Sequence, residues 1–356
     1  MNFRFILPTA ALLFSINAQS AETTSKIGLS VDSYNYSQAK YINDYIGDFS
    51  GSIKKGDHAV SLNKLTFDVQ YGNFNFGIFK RLDYQHSFSS DTARLQHNIK
   101  NNITPNSPEI YTLNLKMEHF EASGIELGYQ WQPHTDISFS LTGNYFLGLN
   151  FHSGELTGYA DWNSNEDLEI VAPTIIYTAK NELLEFPMAD SNGEGFSIDL
   201  GLSWQLNDQW NIQLQADDTV SEINWNKALL NQINRWEVYQ INESGDLDIS
   251  SVFEGMKLNY QQTLTTNYKA SITYTRGDSF EYFSTLFQNE VFSHHHLGIK
   301  KYIDNGKTLI FAWHRDLNAF EIGLKTPYAN FELVTDSISS KKRHVFNLSL
   351  GLSYAF

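Results

Sequence analysis

The stretch KKRHVFNLSLGLSYAF, residues 341–356, decides the fold. From Phe346 onward the apolar residues Phe346, Leu348, Leu350, Leu352, Tyr354 and Phe356 alternate with Asn347, Ser349, Gly351, Ser353 and Ala355. A period of two sends the two sets to opposite faces of a strand. One face is then greasy and aromatic, the other small and wettable, which suits a sheet standing between lipid and water.

Position adds to pattern. Ser349, Gly351, Tyr354 and Phe356 fill the order polar, any, Gly, any, any, hydrophobic, any, aromatic, and the aromatic is the last residue. This resembles the C-terminal assembly signal of Gram-negative outer-membrane β-barrels. The resemblance implies an all-β fold, a transmembrane antiparallel up-and-down β-barrel in the cell outer membrane. It also implies contact with the bilayer and its lipopolysaccharide, and reading of Phe356 by the barrel-assembly machinery during biogenesis.

The composition agrees. The chain of 356 residues has a formal charge of −15, which argues against a nucleic-acid partner. Mean hydropathy is −0.36, far too polar for a bundle of membrane helices, yet aromatics make up 14% of the residues. Polar on average but rich in Tyr and Phe is what a wet lumen and aromatic girdles demand. There is no cysteine, so neither disulfides nor thiolate chemistry is available. At the N-terminus Arg4, the apolar run from Phe5 to Ile16, and the small residues around Ala18 and Ala21 have the order of a secretory signal peptide. We expect residues 1–20 to be that peptide, cleaved after 20 or 21, and residues 21–356 to form a single barrel domain.

Alternating runs recur along the chain. Ile27, Leu29 and Val31 open the series. Leu65 to Tyr71, Gly72-Asn73 and Phe74 to Ile78 make a tight hairpin. Residues 111–131 keep one parity through Leu113, Leu115, Ile125, Leu127, Tyr129 and Trp131, so they read as one long strand standing proud of the membrane. Residues 154–178 read as a hairpin or a folded loop. Phe196 to Leu206 and Trp210 to Ala216 flank Asn207-Asp208-Gln209, with Trp204 and Trp210 where an interfacial belt would sit. Further short turns are expected near 132–135, 264–267, 304–306 and 326–327. Long connections are expected at 38–58, 88–108, 179–194, 226–251 and 277–290, all on the outer side. Within 226–251, Leu229, Ile233 and Trp236 have helical spacing, so either a short helix or an ordered outer loop fits. The tally is about 16 strands, or about 14 if 154–178 is a loop, even in both cases as such barrels require.

In a barrel, function lies in the inward-facing alternates and the outer loops. By parity Asp32, Asp68, Arg81, Asp83, Glu126, Asp199, Asp217, Lys257, Lys269, Glu321 and Lys325 face inward. Of these, Asp199, Asp217, Lys257, Lys269, Glu321 and Lys325 are the candidate lumen residues, where mixed charges set ion preference or cross-link a narrow interior. His294, His295 and His296 invite a metal, but neighbours on a strand face apart, so only His294 and His296 could share an ion; we assign none. His152-Ser153, His86-Ser87 and Asp217-Asp218 supply hydrolase residue types, again with neighbours facing apart, and no catalytic residue or cofactor is assigned. The expected function is therefore a passive, porin-like channel for small solutes, or a structural barrel. Residues 195–226 are also similar to hairpins of the outer-membrane fatty-acid and hydrocarbon transporters, through the Leu-Asn-Asp-Gln-Trp turn and Asn224-Trp225. That resemblance implies the alternative, a transporter of hydrophobic compounds, although the short Asn-Pro-Ala motif opening those proteins' plug is not found here.

Overall fold

The computed structural model describes residues 25–46, 51–162, 168–178, 192–233, 236–241, 247–250, 254–303 and 306–356; of these, residues 45–46 and those between 231 and 257 are described by their backbone only. The expected signal peptide lies outside the described residues. The strands are β1 (Lys26–Ser37), β2 (His58–Tyr71), β3 (Phe74–Phe88), β4 (Glu109–His134), β5 (Ile137–Trp162), β6 (Leu168–Val171), β7 (Thr174–Thr178), β8 (Asn192–Gln205), β9 (Trp210–Ile233), β10 (Trp236–Ile241), β11 (Leu247–Ser250) and β12 (Glu254–Gln262). They continue with β13 (Asn267–Arg276), β14 (Phe280–Gln288), β15 (Ser293–Ile303), β16 (Lys307–His314), β17 (Ala319–Lys325), β18 (Ala329–Thr335) and β19 (Val345–Ala355). Two helices, α1 (Ile42–Ile46) and α2 (Ser90–Lys100), sit in the first two outer connections.

Every pairing is antiparallel, and β1 pairs with both β2 and β19, so the sheet closes on itself. The closed ring has 14 strands, β1 to β5, β8, β9 and β13 to β19. Closure leaves no free edge in lipid, the condition a spanning sheet must meet. The remaining short strands extend the ring upward on one side. Both β7 and β8 pair with β5, at 152–156 and 137–148, so they act as successive pieces of one descending strand. Likewise β12 and β13 both pair with β9.

The outward face is apolar, as alternation requires. Phe76, Ile78, Ile125, Leu127, Leu141, Leu200, Leu214, Leu297, Phe311, Ile322 and Leu352 are all exposed. At the end carrying Ser25 and Phe356, aromatics crowd the short turns: Tyr71 and Phe74, Trp131 and Phe139, Trp204 and Trp210, Tyr354 and Phe356. Trp131 stacks on Phe139 (5.8 Å), and Trp210 on β9 lies 4.8 Å from its cross-strand partner Tyr274 on β13. Higher up, Tyr145, Phe196, Trp313 and Phe320 mark the other rim. Two aromatic girdles around an aliphatic band are the signature of a bilayer-spanning barrel. The terminal signature sits in this belt: Tyr354 and Phe356 point out, Gly351 faces in opposite Ser30 and Asn330, and Phe356 N donates to Ser25 O (2.9 Å).

Some expectations need correction. Residues 264–267 are not a turn. At that point the descending strand only breaks between β12 and β13: Leu264 N donates to Ser221 Oγ (2.9 Å) and Thr266 Oγ1 to Asp218 O (3.1 Å), so hydroxyls replace ladder bonds where β9 bulges. Residues 277–290 are not an outer loop either. Gly277, at φ 61°, makes the short turn on the terminus side, and β14 climbs from it. In the 226–251 stretch the helical spacing does not yield a helix among the described residues; β9 runs on to Ile233, and β10 and β11 pair with each other. Residues 154–178 hold the top of β5, then β6 and β7 stacked back against it.

The long-strand reading of 111–131 holds, and β4 spans 26 residues. Beyond Leu115 it has no β3 partner. There α2 protects the edge: Thr112 N donates to Asp91 Oδ2 (3.0 Å) and Asn114 N to Thr92 Oγ1 (3.0 Å). Ser89 caps the helix, its Oγ accepting from Thr92 N (3.1 Å). Leu95 and Ile99 on α2 bury against Tyr111, Leu113, Trp162, Leu168 and Ile170, a compact core outside the ring.

Candidate functional site: the barrel interior

The inner wall is divided between charge and aromatic surface. On β3 the two-residue repeat places Phe79, Arg81 and Asp83 on one face. Arg81 Nη2 bridges Asp83 Oδ2 (2.6 Å) and Asp218 Oδ2 (2.7 Å). Asp218 N donates to Asp199 Oδ1 (2.8 Å), whose other oxygen accepts from Asn144 Nδ2 (2.8 Å). Beside this network Lys64 Nζ meets Glu126 Oε2 at 2.7 Å and lies 4.8 Å from the centre of the Phe79 ring. Gly77 makes room for Glu126, since a Cβ at 77 would come within 2.8 Å of that carboxylate. The charges are cross-linked rather than presented to a wide channel.

Against them packs an aromatic cluster of Phe79, Phe120, Phe146, Phe151, Ile223, Trp225 and Leu264, with Tyr177 and Tyr260. Phe151 stacks on Trp225 (4.3 Å) and on Tyr260 (5.2 Å), and Tyr260 on Tyr177 (4.4 Å). The Trp225 ring lies over Gly148 and Gly193, where any side chain would collide with it. Trp225 Nε1 donates to Gln262 Oε1 (3.0 Å), so the one polar atom of the indole is satisfied.

The break at Thr263–Thr266 folds inward and touches the opposite wall. Gln262 Nε2 reaches His119 O (3.4 Å), and Tyr260 Oη donates to Ser153 Oγ (2.8 Å), which in turn donates to Glu118 Oε1 (2.9 Å). Between Arg81, Asp83, Glu118 and Gln262–Thr265 remains a cavity of about 20 Å³, room for about one water. Across the barrel a second inner cluster joins Tyr36, Val60, Phe292, Leu317, Val334 and Val345, with Tyr34 and Phe287 against it.

The candidate lumen residues do not form one ring. Asp199 belongs to the Arg81 network, and Asp217 accepts from Gln215 Nε2 (2.9 Å) beside it. Lys269 faces inward between Gln215 and Phe287. Lys325, opposite Thr308 and Asn330, lies near the terminus-side end. Glu321, near the other rim, is buried against His314 Nε2 (2.9 Å). Lys257 pairs through its backbone with Leu229, in the extension above β13, and its side chain lies outside the described residues. The reading that adjacent residues face apart fails at Asp217-Asp218. The bulge between β8 and β9 and a φ of 57° at Asp218 turn the second carboxylate inward too, where it is the more deeply buried of the pair. Sequence reasoning names Asp218 beside Asp217 but leaves it out of the inward set for that reason.

The same reading holds at His152-Ser153, where Ser153 alone joins the inner Tyr260–Glu118 contacts. It holds again on β15: His294 and His296 face inward, while His295 bonds Ser284 Oγ (2.8 Å). A third histidine joins the inward pair. His314 on β16 stands opposite His296, their rings 4.2 Å apart.

No family model and no curated protein matches the chain. Among solved structures it is similar to a deletion mutant of the TodX monoaromatic hydrocarbon channel, at 10% identity over 95% of this chain and 91% of that one (TM-score 0.47). It is also similar to the Pseudomonas putida toluene transporter TodX, at 10% identity over 95% and 90% (TM-score 0.42), and to a Pseudomonas aeruginosa FadL homologue, at 8% over 93% and 87% (TM-score 0.40). At such identities and scores these likenesses do not bear on what this barrel carries. Its own closed ring, apolar belt and paired aromatic girdles do bear on where it lives. The chain is an integral membrane β-barrel protein of the outer-membrane type.

Proposed function

We propose that this barrel is a conduit for small hydrophobic compounds rather than a water-filled pore. The observation that carries the reading is the inner aromatic cluster around Phe151, Trp225 and Tyr260, with Leu264 folded in from the opposite wall. Hydrated ions must shed water to pass packed apolar rings, and hydrophobic constrictions gate by dewetting. A small apolar solute displaces such rings at little cost, because it replaces one apolar contact by another. The cross-linked charges around Arg81 hold the wall rigid beneath this path.

The test pairs two measurements on the refolded protein. In a planar bilayer it should show little steady conductance. In outer membranes carrying it, a fluorescent naphthylamine dye should enter faster than in membranes without it, and Trp225→Ala should alter that rate. Steady cation-leaning conductance that falls with Asp199→Asn and Asp217→Asn would instead support the aqueous channel. Assembly is a separate proposal: deleting Phe356 should reduce insertion, and normal accumulation of the truncated chain would refute a role for the terminus.

A further inference from the structure

One inward cluster plays no part in the conduit reading. Alternation puts His294 and His296 on one face of β15, and strand pairing sets His314 beside them. One ring nitrogen from each lies within 4.8 Å of the other two. His294 and His314 are buried, and their rings stack at 5.7 Å. Nδ1 of His296 and Nδ1 of His314 are buried with no hydrogen-bond partner. Leaving such an atom unsatisfied is costly, and here two share one site.

The remaining contacts favour a ligand for those nitrogens. Glu321 Oε2 accepts from His314 Nε2 (2.9 Å), which leaves the lone pair on Nδ1, the unpartnered atom. A carboxylate behind an imidazole is the usual arrangement for orienting a metal ligand. His294 Nδ1 is engaged with Tyr34 Oη (3.3 Å), so Nε2 is the nitrogen it can offer.

The geometry points to a divalent transition-metal site, with His294, His296 and His314 as ligands, Glu321 orienting His314, and zinc as the fitting ion. Three neutral imidazoles with an open fourth position suit zinc, whereas calcium and magnesium require oxygen ligands. Ligand nitrogens around tetrahedral zinc stand about 3.4 Å apart, so the rings close by rotating within their stack. An ion held here ties β15 to β16 at the outer rim, and Tyr34 carries the tie to β1 across the interior.

The test uses the refolded mature protein without a histidine tag. Zinc is added at one equivalent, excess is dialysed away, and retained metal is counted; affinity follows from competition with a chromophoric chelator. About one zinc per chain is expected. His296→Gln with His314→Gln should abolish retention, Glu321→Gln should weaken affinity by about 10–100-fold, and His295→Gln, on the outer face, should change nothing. Heat-modifiable mobility checks that each variant is folded, and His294→Gln alone replaces the double variant if that one fails to fold. Wild type retaining no more zinc than the folded variants, or equal affinity in all of them, would overturn the site.

Discussion

The two halves of the barrel wall obey different rules. From β14 to β18 the strands have 7–11 residues, close to what a tilted crossing of the bilayer needs. On the other side β4 and β5 have 26 each and β9 has 24. At about 3.3 Å per residue, 26 residues run roughly 85 Å, far beyond the hydrocarbon. The short wall is shaped by lipid alone. The tall wall must also behave as a water-soluble fold above the membrane, with its own helix, its own core and protected edges. The same outward face of β4 shows the change of solvent: Leu127 meets lipid, and Leu113 is buried under α2.

The largest expected effect tests how differently the two walls hold their charges. Arg81→Leu strands Asp83 and Asp218 in a buried site, and unfolding in urea should show a loss of about 3–5 kcal/mol. Adding Asp83→Asn and Asp218→Asn should restore most of it. In the short wall Lys300 pairs with a less enclosed Glu281, so Lys300→Leu should cost no more than about 1 kcal/mol. Equal losses in the two walls would break the contrast. Next comes solvent along one strand. Leu127→Arg in the lipid belt should cost about 2–4 kcal/mol, while Thr112→Arg, exposed in the extension, should stay within about 0.5 kcal/mol.

The sequence made the short wall easier to read than the tall one, with one exception. The alternation of β16, β17 and β19 is clean because lipid on one face and polar interior on the other leave little freedom. At β14 the pattern blurs, since Phe283 and Phe287 face inward while Tyr282 and Leu286 face lipid, so the strand passes for a loop. The break at Thr263–Thr266 conversely passes for a turn. The two misreadings offset each other in parity, which is why the expected sides of later turns still hold. Asp218 and His314 could not be found by spacing. One depends on a bulge, the other on pairing between strands, and neither leaves a local signal. The terminal strand was legible in full, because every second residue in it answers to the same apolar solvent.

Smaller effects should be confined to the extension. Ser89→Ala removes the α2 cap and should cost about 1 kcal/mol locally, read as faster proteolysis near α2 with heat-modifiable mobility of the ring unchanged. The last test is alkaline. Burial raises the Tyr111 hydroxyl from 10.0 to about 12, reinforced by its hydrogen bond to Glu109 Oε2 (2.6 Å). Between those values the folded extension keeps a proton that the opened chain has released. Its stability is therefore full below about pH 10 and falls as the pH rises toward about 12. Subtilisin cleavage around α2 should accelerate across that window, and Tyr111→Phe should flatten the dependence. If wild type and Tyr111→Phe accelerate alike, the alkaline response lies elsewhere, and the extension is tied to the lipid-bound ring more tightly than its separate core implies.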